Sequence, residues 1–236
     1  MKWITRLAVP FLFSIITITP IKAAAEQKET EVVDRTVAFP DKGTLVVKNF
    51  SGNVRISGTS GKDVVVKATR RAEREQLDHI KLEVTASGSV VTVEANRRDP
   101  QWRDREKNVV DTELEIQVPA TATLEVDAFS SRLTVVGVTG SQRLKTFSGD
   151  VDVDAAAAGA SPELDVETFS GEIVARVADN ARADVQFSSF SGSFESDVPV
   201  TLKSSNNRRR VSGSLGSGAG RTLRFHTFSG DVRVRR

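Results

Sequence analysis

The chain contains no cysteine and no tyrosine, a single methionine, and two histidines, His79 and His226. Without cysteine there are no disulfides, thiolate metal sites, cysteine nucleophiles or lipid-modified amino-terminal cysteine. The two histidines have no metal-ligand spacing, which argues against a zinc centre. A phosphate-cradling glycine loop, a nucleophile-elbow serine and a glycine-rich calcium-roll nonapeptide are likewise missing. After residue 25 no apolar run approaches the roughly 20 residues that a membrane helix needs. These absences leave few known chemistries open and predict a protein that is not an enzyme, with no cofactor.

What is present begins with an export leader. Lys2 and Arg6 precede a largely apolar run from Leu7 to Ile21, which ends in Ala23-Ala24-Ala25. This pattern predicts a signal peptide over 1–25, cleaved before Glu26, and a periplasmic, cell-envelope or extracellular destination. With Lys2, Arg6 and Lys22 removed, the 33 basic residues become 30 against 31 acidic ones. The formal charge of +2 therefore reflects the leader and is no argument for nucleic acid.

The rest, 26–236, reads as one domain organised by a repeat. Thr146-Phe147-Ser148-Gly149-Asp150-Val151 returns as Thr168-Phe169-Ser170-Gly171-Glu172-Ile173 and as Thr227-Phe228-Ser229-Gly230-Asp231-Val232. Phe50-Ser51-Gly52 and Phe190-Ser191-Gly192 are further copies; Phe129-Ser130-Ser131 and Val211-Ser212-Gly213 are weaker ones. A unit recurring about every twenty residues marks a stacked-repeat fold. Alternating apolar residues such as Leu164 and Val166 before the motif, and Val151 and Val153 after it, read as two short strands per repeat. Glycine between them supplies the corner. The fold expected is an all-β, single-domain β-solenoid resembling a parallel β-helix, with roughly 20-residue repeats carrying a Phe-Ser-Gly corner. The phenylalanines at that corner are expected to form an internal ladder.

Glu26 to Asp34 reads as a charged, loose tail. Two stretches break the β pattern. Residues 70–80 form a helix-favouring run, and 96–111 is a charged segment around Pro100 and Trp102, a tryptophan that either covers a sheet edge or makes contacts. The repeat around Asn206 to Val211 is degenerate, with Asn206 and Arg208 in slots that are apolar elsewhere.

The leader, the Val118-Pro119 step into the array and the Leu-x-Val-x-Thr-Phe-Ser-Gly-Asp-Val-x-Val units resemble the bacterial putative-adhesin family of exported β-solenoid repeat domains, a domain of unknown function. The resemblance is best from Leu114 to Val234 and weaker from Thr36 to Val93. It implies an exported, non-catalytic repeat protein of the cell envelope or surface, an adhesin-like scaffold or binding module without catalytic residues. A polysaccharide-processing β-helix enzyme and a self-assembling structural envelope protein stand as alternatives.

Two charged sets are the candidate contact residues. Between Asp150 and Val198 there are 11 acids and two bases, and between Pro199 and Arg236 nine bases and one acid. If sequence order is spatial order, Arg208, Arg209, Arg210, Arg233, Arg235 and Arg236 form a basic end suited to an anionic envelope glycan, a lipid head group or another protein, a second copy included. Asp150, Asp152, Asp154 and Glu172 form an acidic patch, either a solvated outer face or a set of calcium or acid-base ligands.

Overall fold

The computed structural model describes residues 28–103, 108–156, 163–205, 209–218 and 221–236. The leader, and with it the expected cleavage, lies outside the described residues. The described chain is all-β apart from one short helix, and its strands form two mixed sheets that enclose one apolar core.

Each repeat places one strand in each sheet. In the ten-stranded sheet these are β2 (Thr44–Ser51), β8 (Thr123–Ser130), β10 (Gln142–Ser148), β12 (Leu164–Ser170), β14 (Ala183–Ser189) and β18 (Thr222–Ser229). Each turns a corner into the nine-stranded sheet, giving β3 (Val54–Thr59), β9 (Leu133–Val136), β11 (Val151–Asp154), β13 (Ile173–Arg176), β15 (Phe194–Ser196) and β19 (Val232–Arg235) in the same succession. Neighbouring rungs pair parallel and in register: Leu144 lies beside Val166, and Val166 beside Phe225. The alternation Leu-x-Val-x-Thr turns Leu164, Val166 and Thr168 inward, and all are buried. Phe225 and Phe187 occupy the same inner columns.

At the corner the rungs touch through backbone. Gly171 adopts φ +150°, and a Cβ built on it would lie 2.3 Å from the carbonyl oxygen of Gly149. On Gly230 a Cβ would lie 2.0 Å from the carbonyl oxygen of Gly171. Only glycine admits this approach, which explains the recurrence of Ser-Gly.

Sequence order is not spatial order, contrary to expectation. The spatial order is β2-β8-β10-β12-β18-β14 in one sheet and β3-β9-β11-β13-β19-β15 in the other, so the last rung inserts between the fourth and fifth. The chain reaches this position through β16 (Val200–Ser205) and β17 (Arg210–Leu215), an antiparallel hairpin that pairs with the outer side of β14. Of the degenerate stretch at Asn206 to Val211, the described part, Arg209 to Val211, leads into the hairpin's second strand rather than a rung; Asn206 and Arg208 lie outside the described residues.

At the other end, β5 (Ile80–Ser87) and β6 (Val90–Arg98) form an antiparallel hairpin beside β2. In the nine-stranded sheet, β7 (Asp111–Pro119), β4 (Asp63–Ala72) and β1 (Glu29–Ala38) extend the edge beyond β3. The stretch read as a loose tail is mostly β1, paired over ten residues with β4. Arg70, 1% exposed, fastens it by hydrogen bonding to Glu31 and to the carbonyl oxygen of Ile80. The helix expected over 70–80 is α1, Arg74–His79, with a capping box between Glu73 and Gln76.

Candidate functional site

The phenylalanines of the repeat are outside, not inside. Phe50, Phe129, Phe147, Phe169, Phe228 and Phe190 are 42–64% exposed. They stack in that order, with centroids 4.7 to 4.9 Å apart and planes within 13°. The expectation of an internal ladder fails because it stepped three residues from Val166 to Phe169. A strand alternates strictly, so an inward Thr168 puts Phe169 outward. The inner slots hold Asn49, Ala128, Thr146, Thr168 and Thr227, all buried. Ring spacing equals strand spacing, about 4.8 Å, so the backbone register imposes the stack. Because the four inner rings pack on a neighbour at both faces, that part of the stripe presents ring edges to solvent.

Two columns of charge run beside the stripe on the same outer face. The nearer contains Glu94, Lys48, Asp127, Lys145, Glu167 and His226 in spatial order, and the farther contains Glu125, Arg143, Asp165 and Arg224. Signs alternate because side chains paired directly across parallel strands repel when alike. Lys145 Nζ lies 2.8 Å from Glu167, and Asp165 lies between Arg143 at 4.0 Å and Arg224 at 3.6 Å. The hydrogen bond from Lys145 lowers the Glu167 carboxyl below its ordinary range, and the same bond raises Lys145. A groove of about 400 Å³ lies between the stripe and the nearer column, bordered by Lys145, Glu167 and His226.

His226 and Ser188 meet on this face, with Nδ1 and Oγ 2.8 Å apart. No local pattern signals this pair, because it depends on which strands become neighbours. Ser188 is the penultimate residue of β14, and the next amide, that of Ser189, donates to the carbonyl oxygen of Arg209. That backbone N–H is spent in the sheet and is not available as an oxyanion donor beside the hydroxyl.

The acidic residues singled out from sequence lie together but are engaged. Asp150 accepts from Arg132 at 2.8 Å and from the Glu172 amide at 3.1 Å. Asp152 pairs with Arg176, whose second guanidinium nitrogen lies at 3.3 Å, and Asp154 accepts from the Ala156 amide at 3.1 Å. Glu172 pairs with Arg233. Among the described residues no group of three or more acidic or histidine side chains is placed to hold a metal ion.

The carboxy-terminal arginines do not form a separate basic end. Insertion of β19 sets Arg233 between Glu172 and Glu195, the latter at 3.2 Å. Arg235 lies 2.7 Å from Asp197, and Arg236 3.7 Å from Asp179. The charge asymmetry along the chain is thus cancelled between adjacent strands. Arg209 and Arg210 are exposed at the start of the hairpin's second strand, and Arg208 lies outside the described residues. Trp102 is half-buried and stacks on His79 at 4.4 Å, so the second excursion folds back on the first.

Comparison with known proteins places the fold. A putative cell adhesion protein from Clostridium sporogenes superposes with a TM-score of 0.59 at 12% identity, over 89% of this chain and 99% of that one. A putative adhesin from Bacteroides fragilis gives 0.29 at 9% identity, covering 86% and 97%. A putative lipid binding protein from Parabacteroides distasonis gives 0.26 at 8%, covering 88% and 97%. No curated protein matches the sequence. No helix among the described residues is long and apolar enough to cross a membrane. The Toastrack DUF4097 family model matches residues 33–235, from within β1 to the end of β19, and the chain belongs to that family.

Proposed function

We propose that the protein is a non-catalytic, adhesin-like contact module of the cell envelope or surface. It is exported by its leader, built as a short solenoid-like stack, and acts through the outer face of the ten-stranded sheet. The observation that carries this reading is the unbroken stripe of six exposed phenylalanines. Contiguous exposed apolar surface marks interaction sites, and here the apolar stripe is bordered by polar columns. The name of the Clostridium sporogenes neighbour agrees with such a role. Arg210 at the hairpin end adds positive charge toward an anionic envelope component. Arg233, Arg235 and Arg236 add less, because acids beside them offset their charge.

The test is binding of the purified chain to isolated envelope fractions. Saturable binding is expected, weakened about tenfold or more in a Phe147→Ser, Phe169→Ser variant, as for loss of central apolar anchors. Binding equal in both forms would remove the stripe from the reading.

A further inference from the structure

The ten strands of the larger sheet run β16-β17-β14-β18-β12-β10-β8-β2-β6-β5, and the midpoint of that order falls between β12 and β10. The midpoint of the ladder falls there too, between Phe169 and Phe147. At each end the sheet finishes in an antiparallel hairpin. The outer face is therefore pseudo-symmetric about a line parallel to the strands between β10 and β12.

A two-fold axis along that line, just above the face, brings a second copy face to face and reverses its stacking order. Each ring then meets a ring: Phe147 opposes Phe169, Phe129 opposes Phe228, and Phe50 opposes Phe190 of the other copy. In the nearer column, Lys145 opposes Glu167 and Asp127 opposes His226. Glu94 opposes Arg210, which is in register with Ser188 on β14. In the farther column, Arg143 opposes Asp165 and Glu125 opposes Arg224. No like charges meet. Alternation serves the single chain whatever lies above it, but complementarity needs an axis between strands; an axis through a strand would set like charges together.

We infer that the partner of this face is a second copy of the chain, joined in an isologous dimer through the phenylalanine stripe and its two charge columns. The inference rests on the functional reading above and names the partner of that same surface. Eight strands about 4.8 Å apart and three columns about 6.8 Å apart give a patch of roughly 700–800 Å² per copy, and about 1,500 Å² in total is a standard interface. Two twisted sheets packed face to face diverge by about 30°, so the contacts nearest the axis are tightest. Lys145 and Glu167 are there.

The test uses charge reversal at that pair and sedimentation of the purified full chain over a concentration series. Lys145→Glu alone sets two glutamates against each other across the axis, and Glu167→Lys alone sets two lysines. Each variant is expected to dimerise at least about tenfold more weakly than the unaltered chain. Mixed in equal amounts, the two should restore association to nearly the original strength, because each reversed residue then meets its opposite. Mixing repairs nothing within a chain, so recovery isolates the contact between copies. Circular dichroism on each variant checks that it folds.

A monomeric unaltered chain at about 1 mM, the weak end of specific association, overturns the inference. So does an oligomer indifferent to both reversals, as one held by the apolar leader would be, and so does a mixture that stays monomeric. If the chain is monomeric yet the Phe147→Ser, Phe169→Ser variant loses envelope binding, the functional reading stands and the dimer falls. If it is monomeric and binding is unchanged, both fall.

Discussion

Replacing Gly171 by Ala perturbs the corner where rungs touch. The residue sits at φ +150°, and the new Cβ would lie 2.3 Å from the Gly149 carbonyl oxygen and 2.7 Å from its carbon. Backbone strain at such an angle costs about 1–3 kcal/mol for a residue with a side chain. Relieving the overlap requires the two corners to separate by nearly 1 Å, which strains the hydrogen bond from the Gly149 amide to Ser170, now 3.1 Å. One or two weakened bonds add about 1–2 kcal/mol, and reduced freedom of the unfolded chain returns about 0.4–1 kcal/mol. A net loss of about 2–4 kcal/mol is expected. Gly88→Ala is the control: Gly88 turns between β5 and β6 at φ +57° with nothing within 4 Å of the new atom. Its cost is the left-handed backbone alone, about 1–2 kcal/mol, less the same unfolded-state gain. Urea unfolding of both variants, with the slope monitored for unchanged exposed area, measures the difference. If Gly171→Ala is no more destabilising than Gly88→Ala, the backbone-to-backbone stacking of corners is not what sets the rung spacing.

Two further expectations concern buried polar groups. Thr168 is 1% exposed, and its hydroxyl has no protein partner among the described residues. Thr168→Val keeps the shape and should raise stability by about 1 kcal/mol in denaturant unfolding; a loss would mean that the hydroxyl is satisfied. Arg70→Ala should cost about 2–4 kcal/mol, because it removes a buried donor pair and leaves the Ile80 carbonyl unpaired. It should also speed proteolysis within 29–38, since Glu31 loses its anchor; unchanged cleavage there would show that β1 is held by its ladder alone.

Much of the fold is written locally. Period-two alternation in Leu164-x-Val166-x-Thr168 and Val151-x-Val153 is enough to specify half-buried strands, and Ser-Gly marks each corner because a corner admits no Cβ. The helix over Arg74–His79 follows from a run of helix formers, and all-β architecture from the repeat itself. The inward or outward sense of the phenylalanine was also present in the sequence, since an inward Thr168 sends Phe169 out. Aromatic character suggests a core residue, but strand geometry decides.

The candidate surface depended on facts that no local pattern holds. That β18 and β19 enter between earlier rungs is a choice of partner over tens of residues, made where parallel pairing, the hairpin on β14 and opposite charge agree. Arg233 between Glu172 and Glu195, and His226 beside Glu167, exist only through that insertion. Sequence determined the strands, their faces and their corners, because these depend on residues a few positions apart. Tertiary structure alone decided the order of the rungs, and with it which charges cancel and which face lies open, because pairing energy is shared across strands that the chain visits out of turn.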